Sequence, residues 1–399
     1  MTFIGGNDVI KCAGLYTCEM DEPEIALAEL QAQLNEKIEL LPNTIGIVMC
    51  HADTLESGVF QHVAKNFPFK LVGATTSGQV VGHSTEDLAI SIFVITSDTT
   101  RFETVLGGDV SQGIEKSIHD AFTPIVEKGE TPKLIIAFPP LNFESTGDDD
   151  VDILGKMFPG VPIFGGQPTT DEVGFTGNKT LYTDKTNENR GVFLLCFGDI
   201  NPRFIISALP EKDKLPHTGK ITSAERHIVH EINGINVRKY LQDVEYVDED
   251  GEKKGLYWFL PFLVEQTIRS DYDGIPVVRG LAKFTDEGSA SFLGKMDESS
   301  NFHVMTMTNE SVMAANRETL KPLTNFDDIN GVLVFSCVAR HMLMIHTSNV
   351  LQELTSVASL VGDAPFMGGY LCGEICPTSK KNEAYINRFH NYSLIAMVL

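Results

Sequence analysis

Gly331-Val-Leu-Val-Phe-Ser-Cys337, followed by a helical run and then Pro365-Phe-Met-Gly-Gly-Tyr-Leu-Cys-Gly-Glu-Ile375, decides the fold of this chain. Phe389-His-Asn-Tyr-Ser393 and the apolar finish Leu394-Ile-Ala-Met-Val-Leu399 complete the unit. The apolar runs are too short for helices and are bounded by turn residues, so they read as buried strands around one helical segment. Gly368, Gly369 and Gly373 let the backbone bend sharply or approach a neighbour closely.

The same unit occurs twice upstream. The first copy opens with Gly46-Ile-Val-Met-Cys50 and carries a helix over residues 54–66. It turns at Val72-Gly-Ala-Thr-Thr-Ser-Gly78 and ends with Leu88-Ala-Ile-Ser-Ile-Phe-Val-Ile95. The second opens with Leu134-Ile-Ile-Ala-Phe138, has a helix over residues 145–158, turns at Phe164-Gly-Gly-Gln-Pro-Thr-Thr170 and ends with Gly191-Val-Phe-Leu-Leu-Cys-Phe197. Val72-Gly-Ala, Phe164-Gly-Gly and Met367-Gly-Gly each introduce a polar run. Repetition of this kind means one supersecondary unit reused, each copy burying its strands against its neighbours. The spacing is too irregular for an open solenoid, so the expectation is a closed, pseudo-symmetric α/β arrangement of βαββ units.

The rest of the chain fits around these copies. Asp21 is expected to cap a helix with Pro23 in its first turn, with Ile25, Leu30, Leu34, Ile38 and Leu41 on one face. Ser111 opens another amphipathic helix through Ile114, Ile118, Phe122 and Ile125. Asp148, Asp149, Asp150 and Asp152 lie in the first turns of the second copy's helix, where acidic groups favour the helix dipole; this capping role outweighs a divalent-metal site. Residues 201–216, bracketed by prolines, mark a boundary. Beyond it come a strand ending in Asn233-Gly234, a short helix, a charged loop from Val247 to Gly255 and strands near residues 276–279, 289–293 and 302–307, an antiparallel segment leading to a helix from Thr308. Two layered domains follow: residues 1–205 with two repeats, and residues 206–399 with the strand-rich segment and the third.

Composition restricts the function. The 399 residues carry 54 acidic against 31 basic groups, a net charge of −23. Such a surface repels nucleic acid and anionic membranes, whose recognition needs clustered Lys and Arg. No apolar run is long enough to span a bilayer, and seven scattered cysteines without a secretory leader point to a reduced, cytoplasmic setting.

Phe335-Ser-Cys-Val-Ala-Arg340, Gly369-Tyr-Leu-Cys-Gly-Glu-Ile375 and Phe389-His-Asn-Tyr-Ser393 resemble the C-terminal part of the FIST family. Ile221-Thr-Ser-Ala-Glu225 and Glu231-Ile-Asn-Gly234 with Tyr240 resemble the start of its C-terminal domain, and Val72–Val80 resembles the glycine turn of its N-terminal domain. The chain departs from the pattern at Arg226-His227, where a Gly-Asn pair is more usual. The resemblance implies an intracellular sensor that binds a small molecule, amino-acid-like in proposals for the family. It signals to a separate protein such as a histidine kinase or cyclase. Some stand-alone members are haem-based nitric oxide sensors, and here His341, His346 and His390 are the candidate haem ligands.

Ligands of α/β sheets sit beyond the carboxyl ends of the strands. The repeat places Thr75, Thr76, Gln167, Thr169, Tyr370, Gly373 and Glu374 there, hydroxyls, an amide and a carboxylate suited to a small polar ligand, against turn capping as the alternative for each. Arg340 and Glu374 are expected either to clamp a ligand's carboxylate and amine or to pair with each other. His390 is read as bonding a turn. Cys337, Cys372, Cys376 and His341 lack the spacing of a zinc site. Cys337 with His390 as base is the enzymatic alternative, a Cys-dependent hydrolase or transferase.

Overall fold

A computed structural model describes residues 10–399 except 85, 143–144, 172–175, 249–260, 268, 327, 346 and 348. The first unit runs β1 (Ile10–Thr17), α1 (Pro23–Lys37), β2 (Asn43–Cys50), α2 (Asp53–Glu56), α3 (Val59–Asn66), β3 (Leu71–Thr75), β4 (Gln79–Val81) and β5 (Ile90–Ser97). The second is β6 (Arg101–Asp109), α4 (Ile114–Glu127), β7 (Leu134–Phe138), α5 (Gly147–Met157), β8 (Ile163–Gly166), β9 (Thr180–Tyr182), β10 (Lys185–Asn187) and β11 (Arg190–Phe197). The third begins with β12 (Arg203–Ser207) and is interrupted by β13 (Lys214–Glu225), β14 (Ile228–Ile232), β15 (Ile235–Asn236), α6 (Val237–Asp243), β16 (Phe262–Glu265), β17 (Val277–Arg279), β18 (Leu281–Phe284), β19 (Ala290–Phe292) and β20 (Asn301–Met305). It resumes with α7 (Asn309–Thr319), β21 (Val332–Cys337), α8 (Val338–Met344), α9 (Gln352–Val361), β22 (Phe366–Leu371), β23 (Glu374–Lys381), β24 (Ala384–His390) and β25 (Leu394–Val398).

The three units share one topology. In each, the first strand pairs in parallel with the second across a helical crossover and antiparallel with the last: β2 with β3 and β5, β7 with β8 and β11, β21 with β22 and β25. Gly73, Gly165 and Gly368 hold the same register position, opposite Val48, Ala137 and Val334. The units then exchange strands in a ring. β9 of the second unit extends the first sheet beside β3, β23 of the third extends the second beside β8, and β4 of the first extends the third beside β22. The expected closed, pseudo-symmetric arrangement of repeated βαββ units is therefore present, and it closes because each unit lends a strand to another.

Burial follows the same symmetry. Ile47 and Met49, Ile136 and Phe138, and Leu333 and Phe335 face a common core among the three sheets. The alternate residues Val48, Ala137 and Val334 face separate clusters under α1 and α3, under α4 and α5, and under α9. Strands covered on both faces read as continuous apolar runs, which is why these stretches stand out in sequence. Phe335 meets Phe164 with ring centroids 5.2 Å apart and Phe138 at 5.9 Å, joining two sheets at the centre. The strand-rich segment forms a fourth sheet with its own core.

Several local expectations need correction. Asp21 does not cap α1; Glu22 is the N-cap residue, and the Glu19 carboxylate accepts the N–H groups of Asp21 and Glu22 at 2.9 and 3.0 Å. Ala26, Leu30 and Leu34 form its buried face while Ile25 is exposed, and the helix ends before Ile38 and Leu41. The first unit's helix breaks at Gly58, whose φ of 79° separates α2 from α3. Asp149 does cap α5, in a capping box with Thr146. The neighbouring aspartates do something else. Asp148 takes two hydrogen bonds from Arg279, at 2.8 and 3.1 Å, and Asp152 is bonded by Arg269 at 2.6 Å and Lys295 at 2.7 Å. Thus α5 holds the inserted sheet by charge. Arg226 belongs to the same contact, 2.7 Å from Asp149. Its φ of 58° lies in the left-handed region, which explains why Gly-Asn would suit this hairpin turn. Most of the charged loop expected at Val247 to Gly255 lies outside the described residues.

Candidate functional site

The turns after β3, β8 and β22 meet at the carboxyl ends of their strands and bond one another in a closed ring. Thr169 N–H donates to Thr75 O at 3.1 Å, linking the second turn to the first. Gln167 N–H donates to Gly373 O at 3.2 Å, and Cys372 N–H to Gln167 O at 2.9 Å, linking second to third. Tyr370 N–H donates to Gly78 O at 3.1 Å, and Thr76 Oγ1 donates to Tyr370 O at 2.7 Å, linking third to first. The structure thus brings Thr75, Thr76, Gln167, Thr169, Tyr370, Gly373 and Glu374 to one place.

Their side chains divide into two groups. The first four hold backbone: Thr75 Oγ1 accepts from Lys179 N–H at 3.0 Å, Gln167 Nε2 donates to Pro140 O at 2.8 Å, and Thr169 Oγ1 donates to Thr170 O at 3.3 Å. The second group keeps buried polar atoms without a partner. Glu374 is fully buried; its Oε2 accepts from Ser393 N–H at 3.2 Å and Ser393 Oγ at 2.7 Å, while Oε1 has no partner. Tyr370 Oη and His390 Nε2 are likewise buried without a partner. Burial pushes the Glu374 carboxyl up to about 8, against the pull of Ser393, Arg340 and a hydrogen bond from the Cys337 thiol, so it carries its proton at neutral pH. Burial, with Arg279 and Arg388 nearby, drives His390 down to about 3, so its ring is neutral. Two buried proton carriers and a neutral imidazole can bond a polar ligand without placing a net charge in the core.

Arg340 is used elsewhere. It pairs with Glu353, Nη2 to Oε1 2.6 Å, rather than with Glu374, and also donates to Ser207 O, Tyr392 O and Asn316 Oδ1. Glu353 accepts from Ser336 Oγ through its other oxygen. This network staples β12, α7, β21, α8 and α9. Sequence reasoning missed Glu353 and Asn316; the signal was a lone acid at 353 in line with Val357 and Val361 on the apolar face of α9.

Cys337 is buried, and burial with Glu374 and Cys372 nearby raises its thiol well above the usual range, so it is held as the thiol rather than the nucleophilic thiolate. Cys376 lies in the central core instead. His341 stacks flat on Tyr370, centroids 4.2 Å apart, with Nδ1 3.3 Å from Ser77 Oγ. One face of that imidazole is thereby covered, and the clefts of about 610 and 430 Å³ elsewhere on the surface are lined by neither His341 nor His390. The surroundings of His341 and His390 do not fit a haem. His346 lies outside the described residues.

The inserted sheet covers the ring. Asn391 N–H donates to Val278 O and Gly280 N–H to Asn391 Oδ1, each at 3.3 Å. A cavity of about 10 Å³, roughly one water in size, lies between Gln167, Thr146, His227 and Phe292. Residues 44–235 match the FIST N domain and residues 237–377 the FIST C domain. The chain belongs to the FIST family. No curated protein matches it. FIST domains are associated with sensing in signal transduction. The join between the two matched regions falls in the inserted sheet, at β15, so the turn ring draws on both. Among the described residues no helix is long and apolar enough to cross a membrane.

Proposed function

We propose that this FIST protein is a cytoplasmic small-ligand sensor whose site is the turn ring under the inserted sheet, and that it signals to a separate protein such as a histidine kinase or cyclase. The observation that carries the reading is Glu374: a buried carboxyl, held by Ser393 on one oxygen and unpartnered on the other, where three repeats converge. Buried polar atoms normally find partners. A ligand contributing an acceptor to Glu374 Oε1, such as the carboxylate or carbonyl of an amino-acid-like molecule, supplies the missing one. Arg340 is committed to Glu353, so ligand recognition does not draw on it.

The room at the ring accounts for the signal. The cavity of about 10 Å³ beside Gln167 is lined by neither Glu374 nor His390 and holds no amino acid, so a ligand reaching Glu374 must shift the inserted sheet on the charged contacts of α5. The ligand's differential affinity for the two positions drives the change. Thermal-shift screening of amino acids and small organic acids tests the assignment. Saturable stabilisation without turnover, about 2.7 kcal/mol at a hundredfold excess over Kd, is expected for the native chain and lost in Glu374→Leu, which removes the donor that a glutamine amide would keep. A ligand that stabilises both alike places the site elsewhere, and covalent acylation of Cys337 by a turned-over substrate favours the enzyme.

A further inference from the structure

At the end of the molecule opposite the turn ring, the amino ends of β7 and β8 border a cleft of about 610 Å³. Lys133, Arg203 and Lys380 line it against a single carboxylate, Glu383. Acidic groups outnumber basic ones 54 to 31 in this chain, so a surface with three cations and one anion reverses the prevailing sign. None of the three forms an ion pair among the described residues, whereas Lys295, Arg269 and Arg279 each do. Arg203 instead lies over the Phe326 ring, 3.7 Å from its centroid, and Lys380 over Tyr385 at 4.3 Å. Four of the lining residues are prolines, which offer no backbone N–H, so an occupant must be held mainly by the cationic side chains. A second cleft of about 430 Å³ adjoins the first, both being lined by Gly160 and Tyr385; it sets Lys156 and Arg269 against Asp152 and Asp271, so the surface is elongated while its positive excess lies in the first cleft.

One element joins this surface to the ring. β23 starts at Glu374 and ends beside Lys380, and β24 returns from Tyr385 to His390. The hairpin turn is fixed by Asn382 and Glu383, both left-handed at φ 50° and 65°. This strand pair spans about 20 Å at ~3.3 Å per residue, with one register shift between Pro377 and Ser379, and so connects the two places directly.

We propose that the Lys133–Arg203–Lys380 cleft is the docking surface for an extended acidic segment of the protein that receives the signal. Charge complementarity selects such a segment and speeds its encounter, and the shared hairpin places the docked chain in register with the ligand site. The assignment of the hairpin as the connecting element rests on the sensor reading; the docking itself does not.

The test uses the ligand-free full chain and a fluorescein-labelled oligoglutamate peptide, read by anisotropy at low ionic strength. Saturable binding is expected, weakening as salt is added and falling about tenfold or more in a Lys133→Glu/Lys380→Glu double variant. Both substituted side chains are exposed, so the variant is expected to melt with the native chain, and Lys65→Glu on α3 is expected to bind the peptide normally. Three results would overturn the proposal: equal binding by the double variant, displacement of the peptide by inorganic phosphate at matched ionic strength, or a dimer that the double variant dissociates, which would make a second copy the occupant. Failure here leaves Glu374 and its ligand untouched, because the thermal-shift screen reads that site separately.

Discussion

Arg279 of the inserted sheet donates two hydrogen bonds to Asp148 in the first turn of α5, and both side chains are buried. Arg279 also donates to Phe389 O at 2.8 Å, and Lys295 N–H reaches Asp148 at 2.8 Å, so the pair sits where helix, inserted sheet and third-unit hairpin meet. Burial raises the pKa of the Asp148 carboxyl while Arg279 pulls against it. Removing one partner of a buried pair leaves the other charge uncompensated. Asp148→Ala is therefore expected to lower stability by about 3–5 kcal/mol, read as a shift in the urea midpoint. A loss under about 1 kcal/mol would show that the contact behaves as a surface pair.

Arg340 permits a sharper substitution. Its guanidinium reaches Glu353, Asn316 and two backbone carbonyls from one plane. Lysine keeps the charge but not the fork, so Arg340→Lys leaves buried acceptors without donors. We expect a loss of about 2–3 kcal/mol, with ligand stabilisation of the surviving folded protein unchanged. A variant that folds normally but loses ligand response would move Arg340 into the binding site.

Much of the fold was legible because the repeat states itself three times. Strands buried on both faces give unbroken apolar runs, and a glycine recurs at one register position in each unit. The exchange of strands was not legible. β4, β9 and β23 are short or polar, and each pairs with a segment far away in sequence, so no local pattern announces its partner. The candidate site was legible as a location, since the glycine turns marked the strand ends. Which side chains there remain unpartnered was not: Thr75 and Gln167 are consumed by backbone groups of Lys179 and Pro140. The aspartate run was half legible, because capping is local to Asp149 whereas Arg269, Arg279 and Lys295 lie more than a hundred residues downstream.

The glycines test the repeat directly. A Cβ on Gly73 would lie 1.7 Å from Val48 O, and one on Gly165 would lie 1.9 Å from Ala137 O, whereas one on Gly368 would meet only side-chain atoms, at 3.1 Å and beyond. The first two positions are obstructed by backbone that cannot withdraw without breaking the parallel ladder. Gly73→Ala and Gly165→Ala are expected to fail to accumulate as soluble protein, and Gly368→Ala to cost about 1–3 kcal/mol at most. Equal tolerance at all three positions would contradict the described packing.

Glu374 and His390, opposite each other on β23 and β24, set a pH profile with two limits. Glu374 titrates near 4.5 when unfolded and about 8 when folded, so between those values the folded chain holds the extra proton and stability falls as pH rises. His390 titrates near 6.5 unfolded and about 3 folded, so between those values the unfolded chain holds the extra proton and stability falls as pH drops. The two slopes oppose each other between 4.5 and 6.5, leaving these groups a plateau there, with losses toward 8 on one side and toward 3 on the other. Each full unit of difference corresponds to about 1.4 kcal/mol. Urea titrations across this range are expected to show that plateau, and Glu374→Gln to flatten the alkaline limb while leaving the acid limb in place. An alkaline limb as steep in the variant as in the native chain would mean that Glu374 is already ionised in the folded protein, and the unpartnered proton donor at the turn ring would be gone with it.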